Sequence, residues 1–212
     1  MTGLTAEILD LESARESLAL EIDSNPDSVK AWVNYGSVCG ELGLLDEANR
    51  AAERALSLDP QSREATSNLG VLRRESGRLD EAAALFQDVI ARSPEFVFAH
   101  YNLGHTLFLG GRFIEAADAY RSGLRRDPEK TPNQNARFAW ALLASGDAKR
   151  ARQELRRALA RLPAEETQAL LDEAHEVLAA IEAAQPDTHP AVDAMRRIIR
   201  TWGASPSRRA TP

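Results

Sequence analysis

The strongest constraint on the fold is a spacing of 34 residues that recurs along most of the chain. Prolines stand at this interval, the last of them one residue late: Pro26, Pro60, Pro94, Pro128 and Pro163. Two sets of glycines keep the same interval: Gly36, Gly70 and Gly104, and then Gly43, Gly77, Gly111 and, after 35 residues, Gly146. A fixed period of this length indicates an array of stacked supersecondary units. One residue is inserted near Thr131, after which the frame resumes.

Each unit contains two amphipathic helical stretches with a glycine between them. In the first unit they run from Ser28 to Leu42 and from Asp46 to Leu58. Glycine is the natural residue for a left-handed helix stop. Acidic residues at the start of the second helix complement the positive end of its dipole, and the proline that follows ends that helix. The four units are 29–62, 63–96, 97–130 and 132–165.

Small residues mark the places where the two helices of a unit cross. They recur in matching positions as pairs: Gly36 with Ala48, Gly70 with Ala82, Gly104 with Ala116, and Ala139 with Ala151. Two helix axes approach closely only where no long side chain stands between them. Larger residues, such as Leu69 and Phe86, fill the remaining core positions.

With these features the sequence resembles the tetratricopeptide repeat family over about residues 29–165. The motifs that carry the resemblance are the run from Trp32 to Gly36, Leu-Gly at 69–70 and 103–104, Asp-Glu-Ala at 46–48 and 80–82, and Asp-Pro at 59–60 and 127–128. The resemblance implies an all-α fold. The expected architecture is a right-handed superhelical α-solenoid of antiparallel helix pairs, with about 11 helices.

The two ends of the chain lie outside the four repeats, which together span 26–165. Residues 1–25 fit a lone second helix, and we expect this half-repeat to cap the first full unit. Two further helices, 165–184 and 191–202, are expected within a C-terminal segment, 166–203. They form a degenerate capping hairpin, or one of them folds into the groove as a built-in ligand. Residues 204–212 are expected to be disordered.

Composition narrows the class of protein. The chain has 212 residues, a formal net charge of −6 and a pI near 5.3, which argues against general nucleic-acid binding. The charge is uneven, with a net −8 over residues 1–130 and +2 over 131–212. Its one cysteine, Cys39, excludes an intramolecular disulfide. No signal peptide or membrane span is evident, and a cytoplasmic location is therefore expected.

Three asparagines repeat at the groove-facing positions of the first helices, Asn34, Asn68 and Asn102. Asparagine is a poor residue within a helix, and a ladder of amides could meet a peptide backbone about every third residue. The pattern is similar to the asparagine ladder in the superhelix of O-linked N-acetylglucosamine transferases. The alternative is that these side chains contact only water or their neighbours.

The predicted groove becomes apolar in the third and fourth units. Clustered aromatic residues there indicate a hot-spot pocket for a partner's apolar anchor. Alternatively, these residues are covered by the chain's own C-terminal helices and belong to the core. The predicted partner-binding residues are Lys30, Asn34, Asn68, Phe98, Tyr101, Asn102, His105, Phe108, Arg137 and Trp140. A carboxylate clamp is not expected, because Glu64, Phe98 and Asn102 stand where further cations would be needed.

No catalytic, metal-binding or cofactor-binding motif emerges from the sequence, so neither an enzyme nor a cofactor is expected. The four histidines are scattered, and the glycines follow the repeat rather than a phosphate-binding loop. The arginine-rich helix 149–161 is interpreted as a solvated outer face, with an acidic partner or nucleic acid as the alternatives. Cys39 falls at a core position of a hairpin, where a buried thiol is expected.

The leading hypothesis is a protein-protein interaction scaffold or adaptor that binds a partner's peptide or helix in its concave groove. The first alternative is a self-assembling homo-oligomeric scaffold, so self-association is possible. The second is a secretion-type chaperone for an apolar client segment.

Overall fold

The computed structural model describes residues 2–127 and 132–159, together with residues 175, 178, 193, 196 and 197. Within this part of the chain all regular structure is α-helical. The helices are α1 (Thr2–Ser24), α2 (Val29–Glu41), α3 (Leu45–Leu58), α4 (Arg63–Glu75), α5 (Leu79–Arg92), α6 (Val97–Leu109), α7 (Phe113–Arg126), α8 (Pro132–Ala144) and α9 (Ala148–Leu159). The all-α class is as predicted. These nine helices fall two short of the expected 11, and the two helices predicted at 165–184 and 191–202 lie almost wholly outside the described residues.

Each full helix pair turns at a glycine in the left-handed region of backbone conformation. The φ angles are 73° at Gly43, 74° at Gly77, 73° at Gly111 and 95° at Gly146. At the first of these turns, the N–H of Leu44 donates to the carbonyl of Cys39 over 2.8 Å, which closes a Schellman motif. A residue with a Cβ is disfavoured there by about 1–2 kcal/mol. The predicted glycine helix stops are therefore confirmed.

The first helices α2 and α4 begin with different chemistry from the second helices α3, α5 and α7. Ser28 and Ser62 are the N-caps of α2 and α4, and each Oγ accepts a hydrogen bond of 3.2 Å from a backbone N–H three residues on. The second helices α3, α5 and α7 have no side-chain cap. They carry acidic residues in the first turn instead, such as Asp46 and Glu47 in α3. These carboxylates favour the helix start through the helix dipole.

The chain forms two compact units, residues 1–99 and residues 100–212. In the first unit, α2 packs on α3 and α4 on α5, and α1 packs against α2. Glycine allows the close crossings: a Cβ on Gly36 would lie 3.3 Å from Ala51 Cβ, and one on Gly70 would lie 2.8 Å from Phe86 Cζ. The core of this unit contains small residues and a few large ones, including Cys39 and Phe86, both fully buried.

The second unit contains most of α6 and all of α7, α8 and α9. The same close crossing recurs, because a Cβ on Gly104 would lie 2.9 Å from Tyr120 Cγ. Tyr120 and Leu143 are among its fully buried side chains. In the described part of the chain, no helix is both long enough and apolar enough to cross a membrane.

Candidate partner-binding face

A small cleft opens between α2 and α4, the first helices of two consecutive repeats in the first unit. We call it the α2–α4 cleft. It has a volume of about 170 Å³. Its lining comes from both helices and from the first turn of α6: Gly36, Ser37, Gly40, Glu41, Asn68, Val71, Leu72, Glu75 and Phe98. The structure thus brings together two of the predicted partner-binding residues, Asn68 and Phe98.

The amide of Asn68 joins the two walls of the cleft. Its Nδ2 donates to the backbone carbonyl of Val33 over 3.0 Å and to Ser37 Oγ over 2.9 Å. Both acceptors lie on α2, one repeat earlier. The two amide hydrogens are therefore engaged within the protein, so a ligand could use this side chain only through its acceptor oxygen Oδ1.

The three asparagines of the predicted ladder have different surroundings. Asn34 is exposed and makes no side-chain hydrogen bond within residues 2–127 and 132–159. The only described helix that precedes it is α1, which occupies the place of a second helix and not of a first. Asn102 lies in the second unit and is half-buried. Contact with a neighbouring helix, the alternative given above, describes Asn68 best.

Phe98 is the largest exposed apolar side chain at the cleft, with 45% of its surface accessible. Its ring lies 5.9 Å from that of Phe96, and the guanidinium of Arg63 stands 4.7 Å above the Phe96 ring. This contact of a cation with an aromatic face anchors the base of the loop before α6. The expected role of Phe98 as an accessible aromatic residue is compatible with its position.

Two carboxylates border the cleft. Glu41 and Glu75 occupy matching positions on α2 and α4, and both are exposed. Lys30 is also exposed on α2 but does not line the cleft. The rim is therefore negative, which favours a positively charged ligand.

Tyr101 is not an accessible aromatic anchor. Its hydroxyl donates to Asp127 Oδ2 over 2.7 Å, and burial together with this hydrogen bond strongly raises its pKa. The ring packs over Gly123, where a Cβ would lie only 2.6 Å from Tyr101 Cε1. The side chain is thus fixed against α7.

The sequence contains a signal for this packing that the groove prediction missed. The large side chain of Tyr101 is matched by a glycine, Gly123, 22 positions later. The equivalent pairs in the other repeats are Val33 with Ala55, Ser67 with Val89, and Ala136 with Ala158. Because the sizes compensate, Tyr101 belongs to the interface between α6 and α7.

Phe108 and Trp140 also depart from the predicted exposed cluster. Phe108 is 7% exposed and its ring lies 5.2 Å from that of Phe113, while Trp140 is 2% exposed. A side chain this deeply buried contacts a partner only after rearrangement, so the core interpretation fits both residues. His105 and Arg137, in the same unit, are half-buried.

A polar cluster joins α1, α2 and α3. Tyr35 Oη donates to Glu47 Oε2 over 2.7 Å, and Arg15 Nη1 donates to the same oxygen over 3.3 Å. Burial and the hydrogen bond to Glu47 raise the pKa of Tyr35 to about 12. The hydrogen bond from Tyr35, followed by the charge of Arg15, lowers the pKa of Glu47. Burial raises the pKa of the neighbouring Cys39 thiol, which is buried as expected.

No group of three or more His, Cys, Asp or Glu side chains in the described residues is arranged to hold a metal ion. The geometry instead defines a helical-repeat protein with an open cleft between repeats. A tetratricopeptide repeat profile matches residues 9–63, 40–95 and 67–130, and a second tetratricopeptide repeat profile matches residues 139–157. The first profile alone covers more than half of the chain, which therefore belongs to the tetratricopeptide repeat family.

Solved structures show the same fold. A crystal structure of MamA matches with a TM-score of 0.60 and 22% identity, covering 76% of this chain and 91% of that one. TTC0263, a thermophilic tetratricopeptide repeat protein of Thermus thermophilus, matches with a TM-score of 0.65 and 19% identity, covering 85% and 95%. A mutant O-GlcNAc transferase of Thermobaculum terrenum matches with a TM-score of 0.56 and 26% identity, covering 59% of this chain but 24% of that one. No match was found among curated proteins.

Proposed function

We propose that the chain is a non-catalytic protein-protein interaction scaffold that holds a segment of a partner protein in the α2–α4 cleft. The observation that carries this proposal is the combination of apolar lining residues, an exposed aromatic ring at Phe98 and the side-chain amide of Asn68. Stacked helical repeats are suited to such binding because neighbouring first helices create continuous surfaces.

The lining of the cleft defines the chemistry of the segment. An apolar cavity of roughly 150 Å³ holds one benzene molecule, so the cleft's volume of about 170 Å³ suits one large apolar side chain. Val71 and Leu72 supply the apolar contacts. Because Glu41 and Glu75 border the opening, basic residues beside the anchor would gain favourable charge contacts. The expected ligand is an extended or helical segment with an apolar residue flanked by Lys or Arg.

The proposal keeps part of the predicted partner-binding set. Asn68 and Phe98 are in the cleft, and Lys30 and Asn34 are exposed on α2 nearby. Asn102, His105 and Arg137 stay predictions for the second unit. Tyr101, Phe108 and Trp140 are left out, because packing and burial occupy their side chains.

Gly40 offers a selective test. Apart from its two chain neighbours and the backbone of its own helix, no atom lies within 4 Å of the position that its Cβ would take, although the residue lines the cleft. Gly40→Leu should therefore fill the cleft without disturbing the core, and helix propensity predicts a stability equal to or above that of the wild type. Ala84→Leu adds a leucine at an exposed position of α5 and serves as the matched control.

The assay is a random peptide display library panned on the intact chain, followed by affinity measurements on the enriched peptides. Peptides with an apolar residue beside Lys or Arg should be enriched. Their affinity should fall at least about tenfold in Gly40→Leu and stay unchanged in Ala84→Leu. Enriched peptides that bind Gly40→Leu as tightly as the wild type would place binding elsewhere on the molecule.

A further inference from the structure

Charge divides sharply between the two compact units. Residues 1–99 contain 9 Lys and Arg against 18 Asp and Glu, a net −9, which leaves 17 against 14, a net +3, for residues 100–212. Two exposed helix faces concentrate these opposite charges, one on α1 and one on α9. The division therefore suggests contact between unlike surfaces of two molecules.

On α1, five residues form what we call the acidic stripe. They follow one another at helical intervals of three or four residues: Leu9, Glu12, Glu16, Leu20 and Asp23. This stripe lies opposite the face that carries Leu18 and Ile22, which packs inward. All five residues are exposed, and the leucines are among the most exposed apolar residues described, at 63% for Leu9 and 70% for Leu20.

The acidic stripe is unpartnered in the part of the chain that the structure describes. Glu12, Glu16 and Asp23 form no ion pair with any described residue. Their neighbour Arg15 is engaged with Glu47 on α3 and does not neutralise them. Exposed leucines beside unpaired carboxylates make a face suited to a basic helix.

On α9, three cations form a basic stripe of the same kind: Lys149, Arg152 and Arg156. All three are exposed and make no ion pair among the described residues. The other two arginines differ, since Arg150 pairs with Asp147 and Arg157 pairs with Glu154. The basic stripe is thus the part of α9 with charge available for a partner.

We propose that the acidic stripe of one molecule binds the basic stripe of a second copy of this chain, with the two helices antiparallel. Glu12 and Glu16 are four residues apart, as are Arg152 and Arg156, which is about 6 Å along each helix axis. In the antiparallel arrangement Glu16 faces Arg152 and Glu12 faces Arg156. Lys149 then lies beside Leu20, whose surface its aliphatic stem covers.

Such a contact is heterologous, because it joins different surfaces of the two copies. A dimer still has one free acidic stripe and one free basic stripe. Further molecules can therefore add to it head to tail, unless the assembly closes into a ring. One helix pair buries less than the roughly 1,200–2,000 Å² of a stable interface. The association is therefore weak, and salt screens it strongly.

Charge reversal tests this arrangement directly. Glu12→Lys with Glu16→Lys makes both stripes basic, and Arg152→Glu with Arg156→Glu makes the α9 stripe acidic like that of α1. We expect the nuclease-treated wild type to gain mass with concentration in sedimentation equilibrium at low salt, and to lose that gain at high salt. Each variant alone should associate at least about tenfold more weakly. An equimolar mixture of the two should recover association, because unlike stripes then meet again.

The matched control is Asp10→Lys with Glu21→Lys. It changes the charge of α1 by the same amount at exposed positions outside the acidic stripe, and it should associate as the wild type does. Circular dichroism confirms that each variant remains helical. The proposal is overturned if the wild type stays monomeric at low salt, if the mixture fails to associate, or if the control loses association equally. Mass gain that depends on nucleic acid, and so disappears with nuclease, also overturns it.

Discussion

Gly70→Ala is the substitution whose effect on stability follows most directly from the structure. The new Cβ would lie 2.8 Å from Phe86 Cζ and 2.9 Å from Phe86 Cε1. Carbon atoms in contact prefer about 3.5–4.0 Å. The ring must therefore retreat by about 0.7 Å or more, and because Phe86 is fully buried, the core around it must move as well.

Two opposing terms set the magnitude. Replacing glycine with alanine inside a helix stabilises by about 1 kcal/mol, whereas overpacking a core costs about 1–3 kcal/mol. The expected net loss is about 1 kcal/mol, which lowers the Tm of a chain of this length by about 2–4 °C. Gly36→Ala should have the opposite sign. Its Cβ would meet Ala51 Cβ at 3.3 Å, a contact that needs a shift of only a few tenths of an ångström.

Urea and thermal unfolding followed by far-UV circular dichroism measure both variants against the wild type. A rescue variant, Gly70→Ala with Phe86→Leu, should lose less stability than the sum of its single changes. The rescue variant places alanine opposite leucine at the helix crossing. The fourth hairpin already has this combination, because Ala139 and Leu155 occupy the matching positions and both are buried. Equal stabilisation by Gly36→Ala and Gly70→Ala would refute the reasoning, because a tight contact would then have no energetic consequence.

Two further predictions concern polar contacts of the first unit. Asn68→Ala removes both hydrogen bonds to α2 and should lower the free energy of unfolding by about 1 kcal/mol. Asn34→Ala, at an exposed site without such bonds, should instead raise it by about 0.5 kcal/mol through helix propensity. Equal changes in urea melts would mean that the contact of Asn68 with α2 contributes nothing. Because the folded pKa of Tyr35 is raised to about 12, above its ordinary value of about 10, its contribution to stability is complete below pH 10 and is lost as the pH rises from 10 to 12. Glu47→Gln should lower that pKa in a titration followed by tyrosinate absorbance, and an unchanged midpoint would show that Glu47 has no part in the shift.

The helical frame could be predicted from the sequence because backbone geometry leaves few alternatives. A left-handed helix stop needs glycine, and a proline forbids continuation of a helix, so residues such as Gly43 and Pro60 mark turns independently of tertiary contacts. The same frame placed Cys39 in the core. These features depend on local conformation and on a period that repeats, and each repeat supplies evidence for the others.

The accessible face was harder to predict because burial depends on the sizes of side chains from other helices. Helical spacing put Tyr101 on the groove side, but the space over Gly123 draws its ring towards α7. Helical spacing also cannot predict that Asn68 donates both amide hydrogens to α2, because the acceptors Ser37 and Val33 lie 31 and 35 positions earlier in the chain. A comparison of paired residue volumes between repeats recovers the first of these effects but not the second.

The two glycines Gly36 and Gly40 of α2 differ in whether helix packing explains them. Gly36 is matched by Gly70 and Gly104, and close approach of the second helix explains it. Gly40 has no such explanation, because its Cβ would meet nothing within 4 Å, and the matching positions hold Arg74, Phe108 and Leu143. Glycine costs up to about 1 kcal/mol within a helix relative to alanine. The physical consequence of Gly40 is open space beside Phe98 and Asn68. Packing does not explain that space, whereas the binding role proposed for the α2–α4 cleft would use it.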